Sequence, residues 1–133
     1  MEDGRMSQLI LQDIRECWDE VRSGLEHTRR KINAQWRPED VYAACVAGRA
    51  FIYTGEPGFI VVQQQSNLIT GKPEMFLWVA YARGQDNIAT FQDQVDEIAI
   101  EHGFDRIVMW SNRAGFEKVP GWDIVASVFE RRL

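Results

Sequence analysis

The chain has 133 residues, 45% of them hydrophobic, with five Trp, seven Phe and a formal net charge of −5. That is the composition of one globular domain with a real core, not of a disordered chain. The acidic balance, with a pI near 5.0, argues against a nucleic-acid partner, which needs a basic stripe, and no apolar run reaches the ~20 residues of a membrane span or resembles a signal peptide.

Residues 1–6 read as a loose end, with Ser7 as a candidate cap. Leu11, Ile14, Trp18, Val21, Leu25, Thr28 and Ile32 step by three and four, which predicts an amphipathic helix over residues 8–32. Gly24 weakens that helix by about 1 kcal/mol relative to Ala. Residues 33–37 form a loop. Pro38, Glu39 and Asp40 suit the start of a second helix, over 38–47, and Gly48 ends it. Cys17 and Cys45 fall in these helices as reduced core residues. With two His they make no zinc spacing, so no metal site is expected.

Strands are predicted at 50–54 and 59–63, joined by the turn at Glu56-Pro57-Gly58, with a polar loop over 64–73. Residues 75–81 are a continuous apolar run. Residues 83–87 turn, and Ile88, Phe91, Val95, Ile98 and His102 then mark one face of a helix of about 15 residues that Gly103 ends. Residues 104–110 are a second apolar run, so 75–110 reads as a βαβ unit with parallel strands. Trp78 and Trp110, on its two strands, would line the cleft between them. Residues 111–118 form a loop or a single helical turn, and 122–131 a closing strand. The order is α-α-β-β-β-α-β-(α)-β: a single α+β domain with a mixed sheet of about five strands and helices on both faces.

Two local patterns add to that order. Arg83-Gly84-Gln85 follows the first strand of the unit and leads into its helix near Asn87. Asn112, Ala114, Phe116 and Gly121-Trp122 follow its second strand. Together they resemble the GNAT N-acetyltransferase fold, lacking its first strand and with its last two strands cut to one. The resemblance spans residues 8–133. It implies acetyl-CoA held between strands 75–81 and 105–110, its pyrophosphate on the open helix N-terminus, where unpaired N–H groups and a positive dipole end meet. The residues it assigns to the cofactor are Val79, Tyr81, Arg83, Gly84, Gln85, Asn87 and Asn112. Glu74 is the implied base that strips an amine acceptor, a small molecule or a protein. Tyr81 and Ser111 are the implied proton donors to the thiolate, because Phe116 stands where the family has a Tyr.

The chain departs from the pattern at Asp86 and Ile88, where the family has small residues beside the phosphates. Asp86 serves equally as a helix N-cap. These departures open a second reading, a catalytically degenerate domain working as an interaction or assembly part. Short chains of this kind look like ones encoded by tailed bacteriophages among their particle genes. The first reading expects a cytoplasmic enzyme; the second expects a homo-oligomer or a virion-associated particle protein.

Overall fold

The computed structural model describes residues 8–83, 91–110, 121–125 and 129–133. Its elements are β1 (Ile10–Gln12), α1 (Ile14–Ile32), α2 (Pro38–Val46), β2 (Phe51–Gly55), β3 (Gly58–Ser66), β4 (Pro73–Ala82), α3 (Gln92–Glu101) and β5 (Ile107–Val108). They build one mixed sheet in the order β1-β2-β3-β4-β5. The first three pairings are antiparallel, and β4 pairs with β5 in parallel through Met75↔Ile107 and Phe76↔Val108. The α+β class and the parallel pair joined by a helix are those the sequence predicts.

Four elements differ from expectation. The strand predicted at 59–63 runs from Gly58 to Ser66, so the polar loop predicted over 64–73 narrows to residues 67–72, because Gln64, Gln65 and Ser66 still find ladder partners in Met75, Glu74 and Pro73. The helix predicted over 8–32 begins at Ile14, and a strand at Ile10–Gln12 precedes it. Asp13 separates them: its extended backbone ends the strand, and its carboxylate caps the helix by accepting from the Arg15 N–H at 2.9 Å. The strand predicted at 104–110 narrows to Ile107–Val108. The closing strand predicted at 122–131 is absent from residues 122–125 and 129–131, where Ile124, Val125 and Phe129 are exposed. Alternation alone makes no strand without a neighbouring edge to complete its hydrogen bonds.

Each face of the sheet has its own core. On one side Ile14, Cys17, Val21 and Leu25 of α1 and Val41 and Ala44 of α2 pack on Ile52, Phe59, Val61 and Val79. On the other, Phe91, Val95 and Ala99 pack on Ile60, Val62, Met75, Leu77 and Ala82. The predicted helix stripe is right at Phe91 and Val95, but His102 is the exposed C-cap, its Nδ1 2.9 Å from the Ile98 carbonyl oxygen. Both cysteines are free thiols, and burial with the neighbouring Cys17 pushes Cys45 up to about 11. Gly24 breaks nothing in α1. A Cβ there would sit 2.7 Å from Phe59 Cε2 and 2.8 Å from Tyr81 Cδ2, so the glycine is what lets the helix lie this close to the sheet.

Strand β4 carries the feature that shapes the rest. Its register with β3 runs Val61↔Val79 and then Val62↔Leu77, leaving Trp78 as an extra residue. Such a bulge reverses the in–out alternation. Met75 and Leu77 accordingly face the α3 side, whereas Val79 packs toward α1 and α2, with Trp78 and Tyr81 against the same core.

Candidate functional site

The site follows from the hydrogen-bond phase of β4. Met75 N–H donates to the Arg106 carbonyl at 3.0 Å, so before the bulge the odd-numbered residues turn their backbone toward β5. Arg83 N–H donates to the Pro57 carbonyl at 2.9 Å, so after the bulge the odd-numbered residues turn toward β3. Val79 and Tyr81 therefore exchange backbone bonds with Val61 and Phe59, and Ala80 and Ala82 turn their N–H and C=O groups to the opposite edge. Strand β5 pairs with β4 only as far as Phe76. The described pairing ends there, and the edge of β4 from Trp78 to Ala82 has no described strand beside it. The result is an unpaired stretch of β4 edge, a wedge in the sheet's hydrogen bonding that starts at the Phe76–Val108 pair and carries outward-turned backbone groups.

Aromatic rings gather at the apex. Trp110 lies two residues past the last β5 pair, its ring centroid 5.6 Å from that of Phe76. The connection between α1 and α2 brings Trp36 edge-on to Trp78, with centroids 6.1 Å apart. Phe76 points opposite to Met75 and Leu77, onto the face where Trp78 and Trp36 pack against the α1–α2 core.

The residues singled out in the sequence divide into four groups. Glu74 sits on the same strand face as Phe76, 5% exposed. Its carboxylate accepts from Gln65 Nε2 at 2.9 Å and Asn67 Nδ2 at 3.2 Å, and Arg106 Nη1 lies 3.8 Å away. Val79 and Tyr81 border the wedge through the strand they share with Ala80. Their own backbone groups serve the β3 ladder, and the Tyr81 ring packs over Gly24 between Phe59 and His27, with centroids 5.4 Å and 5.7 Å away. Arg83 is exposed and pairs with Glu56 of the β2–β3 turn, 2.5 Å from Nη2 to Oε1. Gly84, Gln85, Asp86, Asn87, Ile88, Ser111, Asn112 and Phe116 lie outside the described residues.

Sequence reasoning missed Trp36, Phe76, Ala80 and Ala82. A signal for the alanines exists: they are the two small residues in the otherwise bulky run 75–82. Among the described residues no group of three His, Cys, Asp or Glu could hold a metal ion. No helix among them is long and apolar enough to cross a membrane. A separate cleft of about 400 Å³ lies on the α3 face against β5, where Trp122 Nε1 donates to Gln92 Oε1 at 2.8 Å. None of the wedge residues Phe76, Trp78, Ala80 or Ala82 lines it.

No family model and no curated protein matches the chain. Solved structures do. A putative acetyl transferase from Pyrococcus furiosus is similar at 12% identity and a TM-score of 0.67, over 95% of this chain and 100% of that one. A ribosomal-protein-alanine N-acetyltransferase from Brucella melitensis biovar Abortus 2308 is similar at 13% identity and a TM-score of 0.65, over 95% and 98%. An aminoglycoside acetyltransferase from an uncultured soil metagenomic sample, solved in complex with sisomicin, is similar at 8% identity and a TM-score of 0.62, over 98% of each chain. What is shared at such identities is the fold, and it is the GNAT-like acetyltransferase fold.

Proposed function

We propose that this chain is an acetyl-CoA-dependent N-acetyltransferase that takes its cofactor into the wedge between β4 and β5. The observation that carries this reading is the bulge at Trp78, which turns Ala80 and Ala82 outward along the edge that β5 leaves. An extended pantetheine arm needs such an edge, because its amides require backbone partners once water is expelled. Acetyl-CoA supplies the thioester carbon that the acceptor nitrogen attacks. The Ala80 N–H, aimed into the gap, is the donor nearest the apex for the carbonyl oxygen as charge builds on it.

Glu74 takes the proton of the incoming ammonium through a water. Its two amide donors leave lone-pair sites on a carboxylate that offers about four. Ser111 or Tyr81 returns a proton to the departing thiolate, Tyr81 only after its ring swings away from Gly24. Arg83 reaches the pyrophosphate by exchanging its Glu56 partner for a phosphate. Gly84, Gln85, Asn87 and Asn112 are assigned to the same cofactor on the sequence pattern alone.

Amide hydrogen exchange with and without acetyl-CoA tests this. Val79 and Tyr81 should be protected from the start by the ladder, and Ala80 and Ala82 should gain protection only with the cofactor. A binder must also raise the melting temperature. No added protection and no thermal shift at millimolar acetyl-CoA would refute the reading.

A second reading is favoured by the exposed Ile124, Val125, Phe129 and Leu133. On it the chain is a silent GNAT-like domain that binds a protein, either a second copy or a bacteriophage particle component. Sedimentation of the pure chain from 1 to 100 μM addresses the first case and co-purification with neighbouring particle proteins the second. Turnover of acetyl-CoA by a monomer that joins none of them excludes it.

A further inference from the structure

We infer that the acceptor is a monocationic amine with an aromatic or similarly flat apolar body, held on the wall formed by Trp36, Phe76, Trp78 and Trp110. This rests on the proposed cofactor site and names what enters from its other side. The four rings come from three separate parts of the chain and meet beside the apex, where a bound thioester would end. They stand in two close pairs, Phe76 with Trp110 at 5.6 Å and Trp36 with Trp78 at 6.1 Å. Phe76 and Trp78 also lie two residues apart on β4, which joins the pairs into one wall. The rings are not sealed into a core. Trp110 is 69% exposed, and Trp36, Phe76 and Trp78 are half-buried. One exposed ring and three partly exposed ones beside an unpaired strand edge are the usual makings of an amphipathic ligand site.

Charge narrows the class. The segments that make the wall, residues 33–37, 73–82 and 107–110, contain one acidic residue between them, Glu74. That carboxylate already accepts from Gln65 and Asn67 and has Arg106 nearby. Arg37, at the end of the Trp36 loop, is paired with Asp40 of α2 at 3.6 Å, so that carboxylate is already matched by a cation. A polyamine or an aminoglycoside carries several ammonium groups and needs several carboxylates, which these segments do not offer. One ammonium is well served. Ring faces attract a cation, and a single base is enough to deprotonate it. Its hydrophobic body then covers the rings that now face water.

The test uses the full chain, 2-phenylethylamine and spermidine as probes, and two independent readouts. Calorimetry follows acetyl-CoA alone. Saturation-transfer NMR follows each amine without cofactor, and thiol release follows turnover when both are present. The expected result is that 2-phenylethylamine binds and is acetylated with at least a tenfold higher kcat/KM than spermidine. Trp110→Ala, at an exposed position where folding is not at risk, should raise the KM for 2-phenylethylamine about tenfold. It should leave acetyl-CoA affinity within twofold, and Trp110→Phe should restore most of the loss. Acetyl-CoA binding with spermidine preferred, with no signal from 2-phenylethylamine, or with no effect of Trp110→Ala overturns the acceptor class and leaves the cofactor reading standing. A Trp110-dependent signal from 2-phenylethylamine without any acetyl-CoA binding does the reverse. Neither ligand binding overturns both.

Discussion

Replacing Gly24 by Ala sets two physical effects against each other, and the structure predicts which wins. In an exposed helix interior the change stabilises by about 1 kcal/mol, because Ala loses less backbone entropy on folding. Here the new methyl would stand 2.7 Å from Phe59 Cε2 and 2.8 Å and 3.0 Å from two Tyr81 ring carbons. Ordinary carbon contacts begin about 0.5–1 Å further out. Phe59 is 3% exposed and has no space to retreat into, so α1 must lift or the Tyr81 ring must turn. Overpacking of this kind costs about 1–3 kcal/mol, with the upper part of the range appropriate to several contacts at once. The net expectation is a loss of about 1–2 kcal/mol after the propensity gain is subtracted. For a chain of this size that is a fall in Tm of roughly 4–8 °C. Urea unfolding followed by tryptophan fluorescence should show a lower midpoint at unchanged m. A midpoint equal to or above that of the parent would refute the close approach of α1 to Phe59 and Tyr81.

Three further outcomes are expected. Glu74→Gln should lower kcat about 10²-fold or more with acetyl-CoA affinity unchanged if the carboxylate is the base; Glu74→Ala should also cost about 2–3 kcal/mol by stripping Gln65 and Asn67 of their acceptor, so equal kcat in the parent and the Gln variant would reduce Glu74 to a structural tie. The backbone phase of β4 makes Val79→Pro far more damaging to stability than Ala80→Pro, since only the first removes a ladder bond to β3; equal urea midpoints for the two variants would contradict the bulge. Arg29, and next to it Arg30, hold the Glu26 carboxyl down to about 2, well below its ordinary 4.5. A depressed folded value stabilises above the ordinary range and loses that stabilisation as the carboxyl protonates on acidification. The difference in urea midpoint between the parent and Glu26→Gln should therefore be largest near neutrality and close between pH 4.5 and about 2, and a gap that widened toward acid would have the wrong sign.

Much of this architecture is legible in the order of residues because burial imposes a period. Ile14, Val21 and Leu25 repeat at helical steps because they share one face of α1, and Phe91 and Val95 do the same in α3. The first strand escapes that reading because Leu11 stands three residues before Ile14 and so falls on the helix's own phase. The boundary is written only in Asp13 and Glu16, an N-cap followed three residues later by Glu. At the other end, residues 122–131 alternate enough to suggest a strand, but Ile124 and Val125 are adjacent and both exposed, so no single apolar face exists to be buried. The site residues were harder still. Val79 and Tyr81 are placed on the correct strand by sequence, but which residues turn their backbone outward depends on parity, and residues 75–82 contain no charged or amide side chain to mark where the phase changes.

The extra residue at Trp78 links features that look independent. Had β4 kept its period, Val79 and Tyr81 would have continued the Met75–Leu77 face toward α3, and Tyr81 would not lie on Gly24. With Trp78 inserted, large side chains at 79 and 81 fill the α1 side while Ala80 and Ala82 join the cluster on the other face with Phe91 and Val95. The same shift turns the Ala80 and Ala82 backbone into the wedge and sets the indole of Trp78 beneath Trp36. The cofactor edge and the acceptor wall are therefore consequences of one register change. A substitution that removes the bulge must disturb both together, whereas one at Arg83 or Trp110 touches only one, and that asymmetry separates a true coupling from two neighbouring features that merely share a strand.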